Sequence, residues 1–458
     1  MEAPGLKTLR RRYGDIRVNL IYLGRLIRAQ ALRVWLRLCL VLFSLEEKIR
    51  PGWKSPEKKI LMMVVGGMGD CLLFDTLFRR VREQWPGSRI DVLTMAFPDL
   101  WQRLDSVDNL ILFRPEKTKT LWSYLRFFRT LYRNHYDIAV EGLAMVPKGG
   151  IYPLFSALVL EASRAPLRVG RRTTGQRILL HPRWKWFFFQ KMMSTGWGRN
   201  DDPAVSPANT CLTHAIRLLP SEVRTYHESS QVLAPLGIDY HRKKDEPKLQ
   251  PDPLLDPWAE RLLREEWAAK DDIIVGFTTE TTKSIKSWPA PYYASVLEWG
   301  IERKLRFLLL GLKEQAPDSP LKQFSREHLL DLSGKTALGE MIALIRQCDL
   351  FLSCDSGPAH VAQACRVPTI VLFGPSNEKE FGPIDHDLHT LLLPPADFNC
   401  RPCVLGPCVK GRTCVQAIPP ETVFEALMKR VGDLSEQRPY RRSPDRRKEK
   451  LPNVLCVI

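Results

Sequence analysis

The chain divides by its hydrophobic periodicity. In the first 57 residues, Ile16, Leu20, Leu23, Ile27, Val34, Leu38, Val41 and Leu45 follow one another in steps of three, four or seven. That spacing places them on one stripe of a helix. Arg17, Arg25, Arg28, Arg33 and Arg37 fall largely off the stripe. The apolar run from Val34 to Leu45 is interrupted by Arg37 and is shorter than the roughly 20 residues a bilayer span needs. Such a helix either lies in a membrane interface, with its arginines on anionic headgroups, or packs on the protein's own body.

After Pro56 the pattern becomes an alternation of strands and helices. Lys59–Val65 is a continuous apolar run ending in glycines, as a buried parallel strand reads. Ile90–Thr94, Leu110–Phe113 and Asp137–Val140 continue the series. Residues 241–257 are charged, carry four prolines and read as a linker. A second series follows with Ile273–Phe277, Leu305–Leu310, Leu350–Ser353 and Thr369–Phe373, separated by helical stretches such as Leu338–Cys348. The prediction is an α/β protein with two doubly wound, Rossmann-like domains facing across a cleft. Its divisions are a basic helical extension (1–57), an N-terminal domain (58–240), a linker (241–257), a C-terminal domain (258–430) and a basic disordered tail (431–458).

Charge sharpens this division. The formal net charge is +17, of which residues 1–60 carry +9 and residues 438–458 carry +5. The body is left with only +3, so the excess belongs to the two ends. Basic ends seek anionic lipid or nucleic acid. A near-neutral body argues against a nucleic-acid binder, and an anionic membrane surface met through residues 16–45 is the expected partner of the N-terminal end. The eleven cysteines come without a secretory leader, so reduced thiols and a cytoplasmic protein, peripheral on the inner membrane, are expected.

Ligands of doubly wound folds bind beyond the carboxyl ends of the strands, at helix N-termini. Four segments occupy such positions. Gly66-Gly67-Met68-Gly69-Asp70 follows the first strand. No third glycine stands at the dinucleotide spacing, which disfavours a Rossmann oxidoreductase. Asp70 is either a helix cap or a general base. Thr281-Thr282-Lys283-Ser284-Ile285-Lys286-Ser287-Trp288-Pro289 offers hydroxyls and ammonium groups suited to a diphosphate. Ser353-Cys354-Asp355-Ser356-Gly357-Pro358-Ala359-His360 turns from a strand into a helix whose free N–H groups favour phosphate oxygens. Phe373-Gly374-Pro375-Ser376 supplies another glycine-turned loop.

Asp355-Ser-Gly-Pro-Ala-His360 followed by Val367-Pro-Thr-Ile-Val-Leu-Phe-Gly-Pro375 resembles the signature of glycosyltransferase family 9, the bacterial ADP-heptose:lipopolysaccharide heptosyltransferases. Thr281–Pro289 is similar to that family's donor-phosphate loop, Gly69-Asp70 to its N-terminal catalytic motif and Leu332–Leu338 to its nucleotide-side loop. Gly311-Leu-Lys-Glu314 matches more loosely. The resemblance runs from about residue 58 to residue 430. It implies a GT-B fold and inverting transfer of heptose from ADP-heptose to a lipopolysaccharide core or related glycolipid. By the same resemblance Asp70 is the base. Thr281, Thr282 and Lys286 hold the diphosphate. Asp355, Ser356, Gly357 and His360 contact donor sugar or phosphate, and Glu314 and Leu338 contact the nucleoside. Lys286 and the helix start at Gly357 would then oppose the charge of departing ADP, with no catalytic metal required.

Two features stand beside the match. The basic stretch from Arg164 to Lys185 includes Arg168, Arg171 and Arg172, which could face an anionic acceptor or simply be solvated. Cys400, Cys403, Cys408 and Cys414 have the spacing C-x2-C-x4-C-x5-C, which could hold structural zinc or an iron–sulfur cluster, or remain as thiols or disulfides. The long N-terminal extension, the basic tail and the Gly66-Gly67-Met68 turn depart from the family's usual pattern. The alternatives are a transferase using another nucleotide sugar and a membrane-associated, non-catalytic binding protein.

Overall fold

A computed structural model describes residues 34–45, 57–114, 120–144, 152–171, 214–216, 233–238, 247–269, 272–281, 283–398, 400, 401, 403, 408 and 411–441. The helical stripe before Val34, Arg172, Thr282 and the tail after Arg441 lie outside these residues.

The first half runs through α1 (residues 34–45), β1 (Lys59–Val65), α2 (Met68–Gln84), β2 (Arg89–Thr94), α3 (Pro98–Trp101), β3 (Asn109–Leu112), α4 (Leu121–Asn134), β4 (Ile138–Ala144), α5 (Tyr152–Ala162), β5 (Leu167–Arg171) and β6 (His214–Ile216). The second half runs through α6 (Leu255–Glu260), β7 (Ile273–Thr278), α7 (Ala290–Ile301), β8 (Leu305–Leu310), β9 (Leu329–Asp331), α8 (Leu338–Gln347), β10 (Leu350–Cys354), α9 (Gly357–Ala364), β11 (Thr369–Leu372), α10 (Glu378–Phe381), β12 (His389–Leu392) and α11 (Pro420–Arg441).

The two sheets are parallel and wound alike, in the orders β3-β2-β1-β4-β5-β6 and β12-β11-β10-β7-β8-β9. Strand order reverses between β1 and β4 and again between β7 and β10, and each reversal opens a crevice at the carboxyl ends of those strands. The period of two along β1 explains its double burial. Ile60, Met62 and Val64 join the apolar cluster of α2, whereas Leu61 and Met63 join that of α4 and α5. After Lys59 at its entrance, no charge appears in the run because neither face meets water.

The halves share a core. The cluster around α2 continues into Met341–Ile345 of α8 and into Val361, Ala362 and Ala364 of α9. Arg103, 2% exposed, donates from Nη2 to the Gly339 carbonyl at 2.9 Å and faces Asp256 at 3.4 Å and Asp252 at 3.5 Å. The proline-bearing segment read as a linker is tied to both sides. Lys248 N donates to Asp75 Oδ2 at 3.2 Å, and Leu249 N donates to the Ala364 carbonyl at 3.0 Å.

Two expectations about the ends change. α11 continues to Arg441, past the boundary drawn at residue 430, and Val423, Ala426 and Leu427 root it in the second core. α1 does pack on the body. Leu36, Cys39 and Phe43 are buried among side chains of α4 and α5, with the Phe43 and Tyr132 ring centroids 5.5 Å apart. Among the described residues no helix is long and apolar enough to cross a membrane.

Candidate active site

The start of α2 is shaped by Asp70. This residue lies in the first turn, and its Oδ2 accepts a hydrogen bond from Gly67 N at 2.8 Å. It therefore caps the helix while standing at the carboxyl end of β1. A Cβ on Gly66 would come within 2.8 Å of Asp70 Cβ, which is why the turn tolerates only glycine there. Gly69 serves the other half of the molecule. A Cβ at this position would lie 2.4 Å from His360 Cδ2. Met68 lies against Gly357 in the same contact. The N-termini of α2 and α9 thus meet across the two halves, with their positive dipole ends converging.

The loop after β7 and the loop after β10 meet at an ion pair. Lys286 Nζ donates to Asp355 Oδ2 at 2.5 Å, and His360 Nε2 lies 3.8 Å from Asp355 Oδ1. Burial would raise the Asp355 pKa, but Lys286 and His360 outweigh it and hold the carboxyl below its usual range. His360 moves the other way for a base. Burial lowers its pKa, against the opposing pull of Asp355 and Asp70, so the ring is neutral at pH 7. Ser356 precedes α9, and its Oγ lies 3.0 Å from Ser353 Oγ, which in turn is 3.0 Å from Thr278 Oγ1. This hydroxyl chain fixes the floor between β7 and β10.

Three of the remaining expected donor residues lie in the segments that follow β7, β8 and β9. Thr281 Oγ1 donates to the Lys283 carbonyl at 2.6 Å and lies 2.8 Å from Ser287 Oγ, so it braces the loop that carries Lys286. Glu314, exposed after β8, touches Gly334 after β9, and Leu338 opens α8 a few residues further on. Glu280 ties the first of these loops to the next by accepting from Leu312 N at 3.1 Å.

Of the residues expected on the acceptor side, Arg168 and Arg171 lie on β5 and Arg172 lies outside the described residues. Arg168 pairs in register with Ala139, which pairs with Leu61, several residues below the cleft end of β1. Arg171 ends β5 on the cleft side. Arg164, from the same basic stretch, is stacked on the Tyr132 ring with its guanidinium 4.5 Å from the centroid.

The four clustered cysteines form no metal centre among the described residues: no three groups of the ligating types stand where they could share an ion. Cys414 is buried, whereas Cys400 and Cys408 are exposed, so the loop turns them to different environments. An Asp-x-Asp triplet does occur, Asp385-His386-Asp387, the pattern that often holds a divalent ion. It precedes β12, at the end of the sheet away from the crevice. Its Asp385 accepts from Asp387 N and Leu388 N at 3.1 Å and pairs with Arg366 at 3.0 Å, so it builds a turn.

Arg401 is a contributor that no local pattern announces. Its guanidinium donates to the Gly374 and Ser376 carbonyls and to Glu378 Oε2, the last at 3.0 Å. It clamps the turn after β11, and Ser376 of that turn adjoins Asp355. Glu141, midway along β4, is another buried carboxylate unanticipated from its apolar surroundings.

Comparisons with known proteins follow the same line. The model of glycosyltransferase family 9 (heptosyltransferase) matches residues 186–412. The chain is 29% identical over 151 residues to lipooligosaccharide heptosyltransferase 2 of Campylobacter jejuni, a match covering 32% of this chain and 47% of the relative. It thus spans about half the length of that relative. To lipooligosaccharide heptosyltransferase 2 of Haemophilus ducreyi it is 24% identical over 344 residues, or 71% of this chain and 86% of the relative. Among solved structures, ADP-heptose lipopolysaccharide heptosyltransferase II of Escherichia coli superposes with a TM-score of 0.58 at 20% identity, covering 82% of this chain and 99% of the other. A family 9 glycosyltransferase from Veillonella parvula gives 0.61 at 17%, covering 83% and 99%. These are GT-B folds of two Rossmann-like domains, and the two sheets described above repeat that architecture. In the segment the family model matches, and in its fold, the chain is similar to glycosyltransferase family 9.

Proposed function

We propose that the protein is an inverting glycosyltransferase that moves heptose from ADP-heptose to a lipopolysaccharide core or related glycolipid at the cytoplasmic face of a membrane. One observation carries the reading. The Asp70 helix start and the Gly357 helix start meet across the halves, beside the Lys286–Asp355 pair.

In the proposed reaction the acceptor hydroxyl oxygen attacks the anomeric carbon in a single displacement, which inverts the configuration. Its proton passes to the Asp70 carboxylate. The bond from the anomeric carbon to the phosphate oxygen breaks, and its electron pair leaves with ADP. Lys286 and the amide hydrogens that open α9 are positive groups fixed before the reaction begins, aimed at the charge that develops on the leaving diphosphate. Asp355 holds the ammonium, so the cation is fixed in position by the protein itself. His360, its pKa lowered by burial, sits against Gly69 and packs the two helix starts together.

The test is transfer from ADP-heptose by the Asp70→Asn variant. Turnover should fall by about 10²–10⁴-fold, while the donor still raises the melting temperature as in the wild type. Near-normal turnover would remove Asp70 as the base. Stabilisation by uridine or guanosine sugars in preference to adenosine ones would change the donor.

A further inference from the structure

α1 has two apolar faces. Leu36, Cys39 and Phe43 are buried against α4 and α5. The other face is left to solvent, with Val34 60% exposed, Leu38 62%, Val41 58%, Leu42 62% and Leu45 51%. Five large aliphatic side chains in one exposed stripe of a twelve-residue helix are more than a monomeric surface ordinarily carries. The helix cannot turn the stripe inward, because the opposite face already fills the groove beside Tyr132 and Arg37 pairs with Glu161 at 3.0 Å.

The neighbouring helix carries the complementary charge. On α4, Trp122, Arg126, Arg129 and Arg133 follow in steps of four, three and four, which puts them on one face. Trp122 is 78% exposed, and Arg126 and Arg133 are exposed as well. An apolar stripe beside a row of arginines headed by a tryptophan has the makeup of a surface that lies in a bilayer interface. Aliphatic side chains enter the acyl boundary, the indole sits at headgroup level and guanidiniums meet lipid phosphates. The net +9 of residues 1–60 strengthens that attraction.

We infer that the outer face of α1, with the arginine row of α4, docks the protein on an anionic lipid surface without crossing it. The inference rests on the proposed glycolipid acceptor for its purpose, since a lipid-borne acceptor must be met at a membrane. It goes beyond that reading in naming the surface and the side chains. A second copy of the chain is the competing occupant, and an uncharged dimer seam would not need three arginines beside it.

The experiment is flotation of the full chain with vesicles of phosphatidylcholine alone or phosphatidylcholine containing phosphatidylglycerol. Wild type should float with the anionic vesicles only, and added salt should weaken it. The Leu38→Gln/Leu42→Gln double variant changes only exposed positions and should lose at least about tenfold in vesicle binding, two buried aliphatic side chains being worth that much or more. Its ADP-induced rise in melting temperature should match the wild type's. The Arg126→Gln/Arg133→Gln variant should bind more weakly and with a shallower salt dependence. Equal flotation of wild type and the leucine variant would overturn the proposal. So would a wild-type dimer that the leucine variant dissociates while vesicle binding is unchanged. Absence of any ADP effect in a chain that floats as predicted would sink the transferase reading and leave the docking surface standing.

Discussion

Gly69 leaves no room for a methyl group, because His360 from the other half occupies the space. Gly69→Ala must displace either the ring or the helix start, and overpacking of this kind costs about 1–3 kcal/mol. Calorimetric melting should register that loss, and transfer should fall with it because the same contact sets the spacing of Asp70 from α9. Lys286 has a different weight. Replacing it by Met leaves Asp355, which is buried, without its first partner, at a cost of about 1–3 kcal/mol. With Lys286 present the Asp355 pKa is held below 3.8, so its stabilising effect holds above that value and fades only as pH falls through the depressed pKa. In Lys286→Met the balance tips toward burial, and acid unfolding should begin at higher pH. The Asp355–His360 motif could be read in the sequence because its members are neighbours along one turn. The approach of His360 to Gly69 could not, since almost three hundred residues separate them and nothing local marks the contact.

Elements were legible where burial made them uniform. β1, β7 and β10 are largely apolar runs because both faces of a central parallel strand are covered, and β8 is one apart from Arg306 near its start. β5, β6, β9 and β12 were missed, being short, nearer the sheet edges and mixed in composition, with β5 lying inside a run of arginines. His389 on β12 shows what such an edge strand conceals. Burial, then Arg366, lower its pKa to about 3, while Asp385 pulls the other way and Arg430 and His386 add to the lowering. The unfolded chain therefore binds a proton between about 6.5 and about 3 that the folded chain refuses. Stability is fully present above this window and declines as pH falls through it, by about 1.4 kcal/mol per pH unit. Urea unfolding at successive pH values should give a flatter acid limb for His389→Gln, with a residual slope of the same sign from His360. The turn after β11 offers another test at this scale. Arg401→Ala removes the clamp on Gly374, Ser376 and Glu378, and should raise the donor KM about tenfold with a smaller effect on kcat, with partial rescue by Lys. Equal losses in both parameters would mean that the loop acts on the chemical step instead.

At the scale of the molecule, the two-domain plan followed from two strand–helix series and a proline-rich break between them. What the sequence withheld was how firmly the break is held. Arg103 is buried between Gly339 and the carboxylates of Asp252 and Asp256, so Arg103→Met should cost about 3–5 kcal/mol and let the halves separate. A larger radius of gyration in small-angle scattering would report that opening. The charge pattern, by contrast, marked the two ends of the chain, and the docking surface proposed on α1 lies at one of them. The whole arrangement exists, on this account, to present a fixed cation and a helix start to a leaving nucleoside diphosphate. Calorimetric titration of ADP into wild type and Lys286→Met, at a temperature where both are folded, tests this directly. The account predicts that the variant binds ADP at least about tenfold more weakly, a charge-assisted contact to phosphate having been removed. Equal affinity in the two proteins would contradict it.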